Sequence, residues 1–158
     1  MKKIIAILMV VIMLATLCSC GHSRRTPHTD YIFLSFEKVS VDERGSTNNY
    51  THRVVYYIYT SGHVAKNEHT REENGPIIPT ELRGEMSETE LEEVLQIVER
   101  QRNLSSNNEI DNGYLWTIEE YGRGDATLSK YVGSISQNED YMRLLEIVES
   151  IAYSEWDF

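Results

Sequence analysis

The sequence predicts an α+β fold: an antiparallel sheet of about five strands with two helices on one face, in the order β-β-β-α-β-β-α. Three observations carry this prediction. Residues 31–70 fall into short runs of apolar and β-branched side chains separated by turn residues. Two later segments repeat apolar residues at the helical spacing i, i+3, i+4, i+7. A second pair of strand-like runs lies between those two segments.

The first three strands are predicted in the N-terminal half. Tyr31–Val41 is typical of a strand, with Ile32, Leu34 and Phe36 expected on one face. His52–Thr60 is apolar or aromatic on both faces, which is typical of a central strand. Ser61-Gly62 then favours a hairpin turn into a more polar strand, His63–Thr70.

The first helix is predicted after residue 86. Ser87 and Glu90 form a capping box at its start, where acidic residues also complement the helix dipole. Its apolar stripe predicts the residues that face the core. They are Leu91, Val94, Leu95 and Val98.

Two further strands and a second helix follow. Tyr114–Tyr121 and Ala126–Ile135 predict strands joined by a glycine-containing turn. Ser136 and Glu139 predict a second capping box. The core face expected for this helix consists of Tyr141, Leu144, Leu145, Val148 and Ile151.

The N-terminal residues 1–19 are typical of a lipoprotein signal peptide. Lys2 and Lys3 precede a run of fourteen uncharged residues, Ile4–Leu17, which is too short to span a bilayer comfortably. Leu17-Cys18-Ser19-Cys20 resembles the bacterial lipobox, so cleavage is expected before Cys20. Cleavage before Cys18 is disfavoured by the bulky Leu17 at position −1. An uncleaved anchor helix or an ordinary signal peptide is the alternative.

Lipidation of Cys20 would place the protein on the extracytoplasmic side of the cell membrane. In lipoproteins of this kind the cysteine carries diacylglycerol and fatty acyl chains such as palmitate, and each buried CH₂ contributes about 0.8 kcal/mol. The lipid membrane is therefore the first predicted partner. Residues 20–29 are predicted to be the lipidated cysteine and a flexible polar tether. Residues 30–158 are predicted to be a single domain.

Composition argues against nucleic acid as a partner. The chain has 15 Lys and Arg against 25 Asp and Glu, a net charge of −10. Binding to nucleic acid depends on Lys and Arg that neutralise phosphates. An acidic surface also repels anionic lipid headgroups, so the acyl chains must hold the protein on the membrane.

No pattern for a cofactor, a metal or catalysis is apparent. Gly-x-Ser-x-Gly, phosphate-binding and His-Glu-x-x-His motifs are absent from the sequence. His63 and His69 could share a strand face, but their spacing matches no zinc signature. We therefore expect a non-catalytic binding domain, with an enzyme that has an unrecognised active site as the alternative.

One segment is unusual for a connection. Thr70–Glu85 spans sixteen residues, which is long for a loop in a compact domain. It contains the candidate binding residues Pro76, Ile77, Ile78, Pro79 and Leu82. A loop stiffened by prolines and presenting aliphatic side chains suits partner binding, because little conformational entropy is lost. The sequence favours the interpretation that Ile77 and Ile78 simply cover the core as the chain crosses to the helix, and partner binding is the alternative.

The span Met86–Ile151 resembles emfourin-type inhibitors of thermolysin-like metalloproteases. The resemblance rests on element order: a capped acidic helix, a polar loop, the strand that begins Tyr114-x-Trp116-x-Ile118, a glycine turn, a second strand and a final helix. It implies a small protease inhibitor with a protease partner, and it assigns no inhibitory residue.

The main expectation is an envelope lipoprotein that binds another envelope protein or an extracellular ligand.

Overall fold

The computed structural model describes residues 30–71 and 75–155. The predicted signal peptide, the predicted lipidation site Cys20 and the predicted tether lie outside the described residues. Within the described ranges the chain forms seven strands and two helices. In order they are β1 (Ile32–Ser40), β2 (His52–Tyr59), β3 (His63–Arg71), β4 (Ile77–Glu85), α1 (Glu88–Gln101), β5 (Tyr114–Tyr121), β6 (Thr127–Gly133), α2 (Glu139–Ser150) and β7 (Ser154–Glu155).

The strands form one antiparallel sheet in the order β6-β5-β1-β2-β3-β4-β7. The first strand of the chain is an interior strand, between β2 and β5. Phe36 of β1 lies opposite Tyr56 on one side and Ile118 on the other. The sheet therefore extends from β1 in both directions, to β6 at one edge and to β7 at the other.

The α+β class and the single antiparallel sheet are confirmed, but the predicted strand number is wrong. The two additional strands are β4, which the sequence analysis treated as a loop, and the two-residue β7. Pro79 lies inside β4. A proline is tolerated near a sheet edge because its missing N–H need not break a ladder.

Both helices lie on the same face of the sheet. One cross-strand row on that face, which we call the helix side, consists of Glu120, Leu34, Ile58, Val64 and Gly84. Arg102, next after α1, donates to Glu120 at one end of this row. Ile151, next after α2, lies against Gly84 at the other end. We call the opposite face the open face.

Neither helix is long and apolar enough to cross a membrane, among the residues described.

The core lies between the helices and the helix side of the sheet. Leu34, Phe36 and Ile58 from the strands are at most 1% exposed, and Val94 and Leu144 from the helices are fully buried. The helical residues buried in this cluster are Leu91, Val94, Ile97, Val98, Tyr141, Leu144, Ile147, Val148 and Ile151.

Two of the predicted core positions are corrected. Leu95 is 48% exposed, and the buried residue is Ile97 instead. Leu145 is only partly buried, and Ile147 takes the core position in α2. Each helix has apolar residues on both sides of its predicted core face. Which side is buried depends on how the helix packs against the sheet, and the periodicity of the sequence does not reveal this packing.

One of the two predicted caps is confirmed. Ser87 accepts from the Glu90 backbone N–H, and the Glu90 carboxylate accepts from the Ser87 N–H at 2.8 Å. The second prediction is wrong, because Asn138 caps α2. Its side-chain oxygen accepts from the Tyr141 N–H at 3.0 Å. The N-cap of α2 therefore lies two residues after the predicted position, Ser136.

Candidate binding surface on strand β4

The predicted Thr70–Glu85 loop is a hairpin. β3 continues to Arg71, and β4 pairs with it along its whole length, from Ile77 opposite Arg71 to Glu85 opposite His63. The loop prediction is thus wrong, and the candidate residues lie on a strand or, for Pro76, directly before it.

Both isoleucines are on the surface. Ile77 is 45% exposed and Ile78 is 56% exposed, so neither covers the core. Pro76 and Pro79 are also exposed, and Leu82 is half-buried. The favoured interpretation, in which the isoleucines cover the core, is therefore wrong. The alternative, in which the segment presents aliphatic side chains to solvent, agrees with the exposure of both residues.

The strand distributes these side chains over both faces, since successive residues in a strand point in opposite directions. Leu82 lies opposite Lys66, whose other neighbour is the buried Tyr56, so Leu82 and Ile78 belong to the helix side. Ile77 and Pro79 belong to the open face. The five candidates therefore follow one margin of the sheet and do not form a single apolar face.

The outer edge of β4 is only partly paired. β7 covers it at Leu82 and Arg83, opposite Glu155 and Ser154. From Ile77 to Glu81 the described residues provide no strand on that side. A strand edge without a partner exposes N–H and C=O groups that can pair with another chain. Pro79 lies within this stretch and has no backbone N–H to donate.

Several charged groups beside the edge form ion pairs within the domain. The Arg83 guanidinium lies 2.8 Å from a Glu81 carboxylate oxygen. On the helix side, Glu68 accepts from His52 at 3.0 Å and pairs with Lys66 at 3.1 Å. The hydrogen bond from His52, followed by that from Lys66, holds the pKa of Glu68 below its usual value. Beside these ion pairs, Ile77 and Ile78 are the exposed large apolar side chains of the margin.

A second cluster, on the helix side near β5, was missed by the sequence analysis. The Lys38 ammonium lies 4.3 Å from the Tyr114 ring centroid and 5.2 Å from that of Trp116. His52 meets Tyr114 edge-on at 6.0 Å. Such contacts stabilise a lysine beside aromatic rings. Only strand pairing brings these residues together, so no local spacing could have revealed the cluster.

A groove of about 330 Å³ at the end of β3 and β4 is lined by Tyr59, His63, Arg83 and Glu155, among others. Among the described residues, no three His, Cys, Asp or Glu side chains are grouped so that they could hold a metal ion.

Comparison of the sequence with known proteins found no match. No model of a known protein family matches this chain, and a search of curated proteins finds no match. The resemblance of Met86–Ile151 to emfourin-type inhibitors therefore still rests on element order alone.

Proposed function

We propose that the protein is a lipid-anchored, extracytoplasmic lipoprotein whose domain binds another envelope protein along the margin formed by β4. The binding residues are those predicted from the sequence: Pro76, Ile77, Ile78, Pro79 and Leu82. The activity is non-catalytic, and the role of the membrane anchor is to hold the domain near its partner.

The observation that carries this proposal is the coincidence of two exposed isoleucines with an edge that lacks a strand partner from Ile77 to Glu81 in the described part of the chain. Single exposed apolar residues are ordinary on protein surfaces. Adjacent β-branched residues on an open edge are less so, because they invite pairing with another chain. Recognition by strand addition uses both features: main-chain hydrogen bonds supply affinity, and pockets for alternate side chains supply specificity.

The proposed margin is also rigid. β4 pairs with β3 over its full length, and β3 pairs with β2 in the interior of the sheet. A partner would meet a preformed edge, so ordering the binding residues would cost little entropy. A mobile loop could offer the same side chains only at a larger entropic cost.

Binding is tested by capture from an envelope extract with the full-length chain solubilised from membranes. The double variant Ile77→Ser/Ile78→Ser should lose the captured protein, while Leu128→Ser should retain it. Leu128 is a matched control, because it is also 56% exposed and lies on the strand at the other edge. Equal capture by both variants would rule out β4 as the contact. If the captured protein is a metalloprotease, the inhibitor alternative is favoured.

The anchor is tested separately. Cys20→Ala should leave unprocessed precursor and abolish labelling by a fatty-acid analogue, whereas Cys18→Ala should change little. Undiminished labelling of the Cys20→Ala variant would overturn the lipoprotein assignment without bearing on β4.

A further inference from the structure

A groove that the proposed binding margin does not use lies on the open face of the sheet. It measures about 240 Å³ and is formed by β1, β2, β5 and the loop of residues 41–51. In its floor, Val39 lies opposite Arg53 on one side and Leu115 on the other. Arg53 lies opposite His69, and His69 opposite Pro79, so this row belongs to the open face. The polar side chains that line the groove are Glu37, Thr47, Tyr50, Arg53 and Thr117.

The loop that walls the groove is held at both of its ends. The Asp42 carboxylate accepts from the backbone N–H of Ser46 at 2.9 Å. At the other end of the loop, Ser40 Oγ accepts from the Thr51 N–H at 2.9 Å. Val39 in the floor is only 6% exposed, although both helices pack on the other face of the sheet. The groove is therefore preformed, and a ligand would have to order little of the chain.

One ion pair in the groove has unused hydrogen-bonding capacity. Arg53 Nε donates to Glu37 Oε1 at 2.6 Å. Among residues 30–71 and 75–155, Glu37 is the one hydrogen-bond partner of this guanidinium. The pair therefore fixes the orientation of Arg53 and leaves the N–H groups of Nη1 and Nη2 to other partners. Burial opposes the charged form, but the hydrogen bond and the charge of Glu37 outweigh it and raise the pKa of Arg53.

These groups match a neutral ligand that both donates and accepts hydrogen bonds. The charges of Arg53 and Glu37 cancel, whereas an anion would approach the Glu37 carboxylate and a cation the Arg53 guanidinium. A hydroxyl group both donates and accepts. Adjacent hydroxyls of a sugar can therefore accept from Arg53 and donate to Glu37. The Thr47 and Thr117 hydroxyls can take either role.

The groove also offers surface to the C–H groups of a sugar ring. Val39 and Leu115 form an apolar floor, and Tyr50 contributes an aromatic ring to the lining. Tyr57 lies near the Arg53 guanidinium. Pockets for drug-sized ligands span roughly 300–1,000 Å³. A groove of about 240 Å³ therefore suits a smaller unit, such as one sugar ring.

We propose that this groove binds a neutral saccharide, with Arg53 and Glu37 contacting adjacent hydroxyls of one sugar ring. The site is separate from the β4 margin, because β3 lies between β2 and β4. Saccharide binding therefore does not depend on the proposed protein partner, and the Ile77→Ser/Ile78→Ser variant should bind the sugar as the parent does.

Binding is tested with the full-length chain, carrying isotope-labelled arginine, in a detergent without a sugar headgroup. NMR follows the Arg53 Nε–H signal, which is assigned by its loss in Arg53→Gln. Neutral trisaccharides of glucose, mannose, galactose or N-acetylglucosamine are added to about 10 mM, which nearly saturates a site with a Kd of about 1 mM. At least one of them should shift the signal. A trisaccharide of uronic acids, which carries carboxylates, should not.

Variants separate recognition from folding, with affinities measured by calorimetry. Arg53→Gln removes the guanidinium and should weaken binding roughly ten- to hundredfold. Thr117→Val removes one hydroxyl and keeps a β-branched side chain on the strand, so it should weaken binding roughly two- to tenfold while the domain stays folded. Lys130→Gln is the matched control, because it breaks another ion pair of the open face, with Glu119 at 2.5 Å, outside the groove.

The expected result is binding of a neutral trisaccharide that Lys130→Gln retains and that Arg53→Gln and Thr117→Val weaken. If Arg53→Gln fails to fold, Thr117→Val decides the question alone. The proposal is overturned if none of the neutral trisaccharides binds, or if only the uronic acid trisaccharide does. Equal loss of affinity in Lys130→Gln and Thr117→Val would also overturn it, because the effect would then not be specific to the groove.

Discussion

The two edges of the sheet are closed in different ways. At the β6 edge, the loop after α1 uses both backbone groups of one residue: the Val132 N–H donates to Ser106 Oγ at 2.9 Å, and the Val132 carbonyl accepts from the Asn108 N–H at 3.1 Å. At the β4 edge, β7 pairs with two residues, Leu82 and Arg83. The exposed Ile77 and Ile78 lie outside the two residues that β7 pairs with.

Each cover depends on a glycine. A Cβ on Gly133 would lie 1.7 Å from Asn107 Oδ1, and one on Gly84 would lie 2.4 Å from Ile151 Cγ2. Both edges therefore use the same device, close approach over a position without a side chain. What differs is the covering segment, which is a loop at β6 and the short strand β7 at β4.

The largest effect is expected in the core, away from both edges. Leu144 is fully buried in α2, so Leu144→Ala should lower the free energy of unfolding by about 2–5 kcal/mol. Leu95→Ala should cost less than about 1 kcal/mol, because Leu95 is 48% exposed. Urea denaturation of the two variants measures both values. Equal losses would show that the assignment of the core face of α1 is wrong.

Removing the cover at the β6 edge should have the next largest effect. Gly133→Ala forces Asn107 away, and overcrowding of this kind typically costs about 1–3 kcal/mol. Hydrogen exchange at the Val132 amide should accelerate as the loop leaves. Gly124→Ala is the control, since Gly124 also has a positive φ of 78° but no atom within 4 Å of a built Cβ. If both variants lost the same stability, backbone strain and not the loop contact would explain the result.

The exposed margin of β4 should matter least for stability among the apolar positions. Ile77→Ser/Ile78→Ser should change the free energy of unfolding by less than about 1 kcal/mol, because both side chains are already exposed. Leu128→Ser on β6 should behave similarly. A loss of several kcal/mol in the isoleucine variant alone would show that the two residues support the fold, as the rejected core interpretation required.

The smallest effect concerns the ion pairs beside β4. The hydrogen bond from His52 lowers the pKa of Glu68, so this carboxylate stabilises the fold above its unfolded pKa. That contribution disappears as the pH falls below the ordinary value of 4.5 and through the lowered folded pKa. Glu68→Gln should therefore be less stable than the parent at pH 7 and converge with it at acidic pH. Parallel stability curves would contradict the assignment.

Local patterns in the sequence predicted most of the elements and part of the core. The Ser87–Glu90 box marks the start of α1, and the first two predicted strands appear as β1 and β2, because neighbouring residues determine these features. A register shift between Ile32 and Leu34 breaks the expected alternation in β1. β4 escaped prediction because Pro76 and Pro79 suggested a loop, and only its position next to β3 makes the segment a strand. β7 is too short for any periodicity.

The candidate residues were identified, but their arrangement could not be. Ile77 and Ile78 are apolar residues in a polar segment of the sequence, and both are exposed in the structure. Their place on a sheet edge depends on the order of seven strands, which reflects contacts between residues that are distant in sequence. The Lys38 cluster with Tyr114 depends on the pairing of β1 with β5 in the same way.

The central claim is that the margin at β4, and not the edge at β6, contacts a partner. A photoreactive phenylalanine analogue placed at position 78 of the full-length protein, and separately at position 128, tests this claim in the living cell. We predict a discrete covalent adduct with one envelope protein from position 78 and none from position 128. No adduct from position 78, or the same adducts from both positions, would contradict the account.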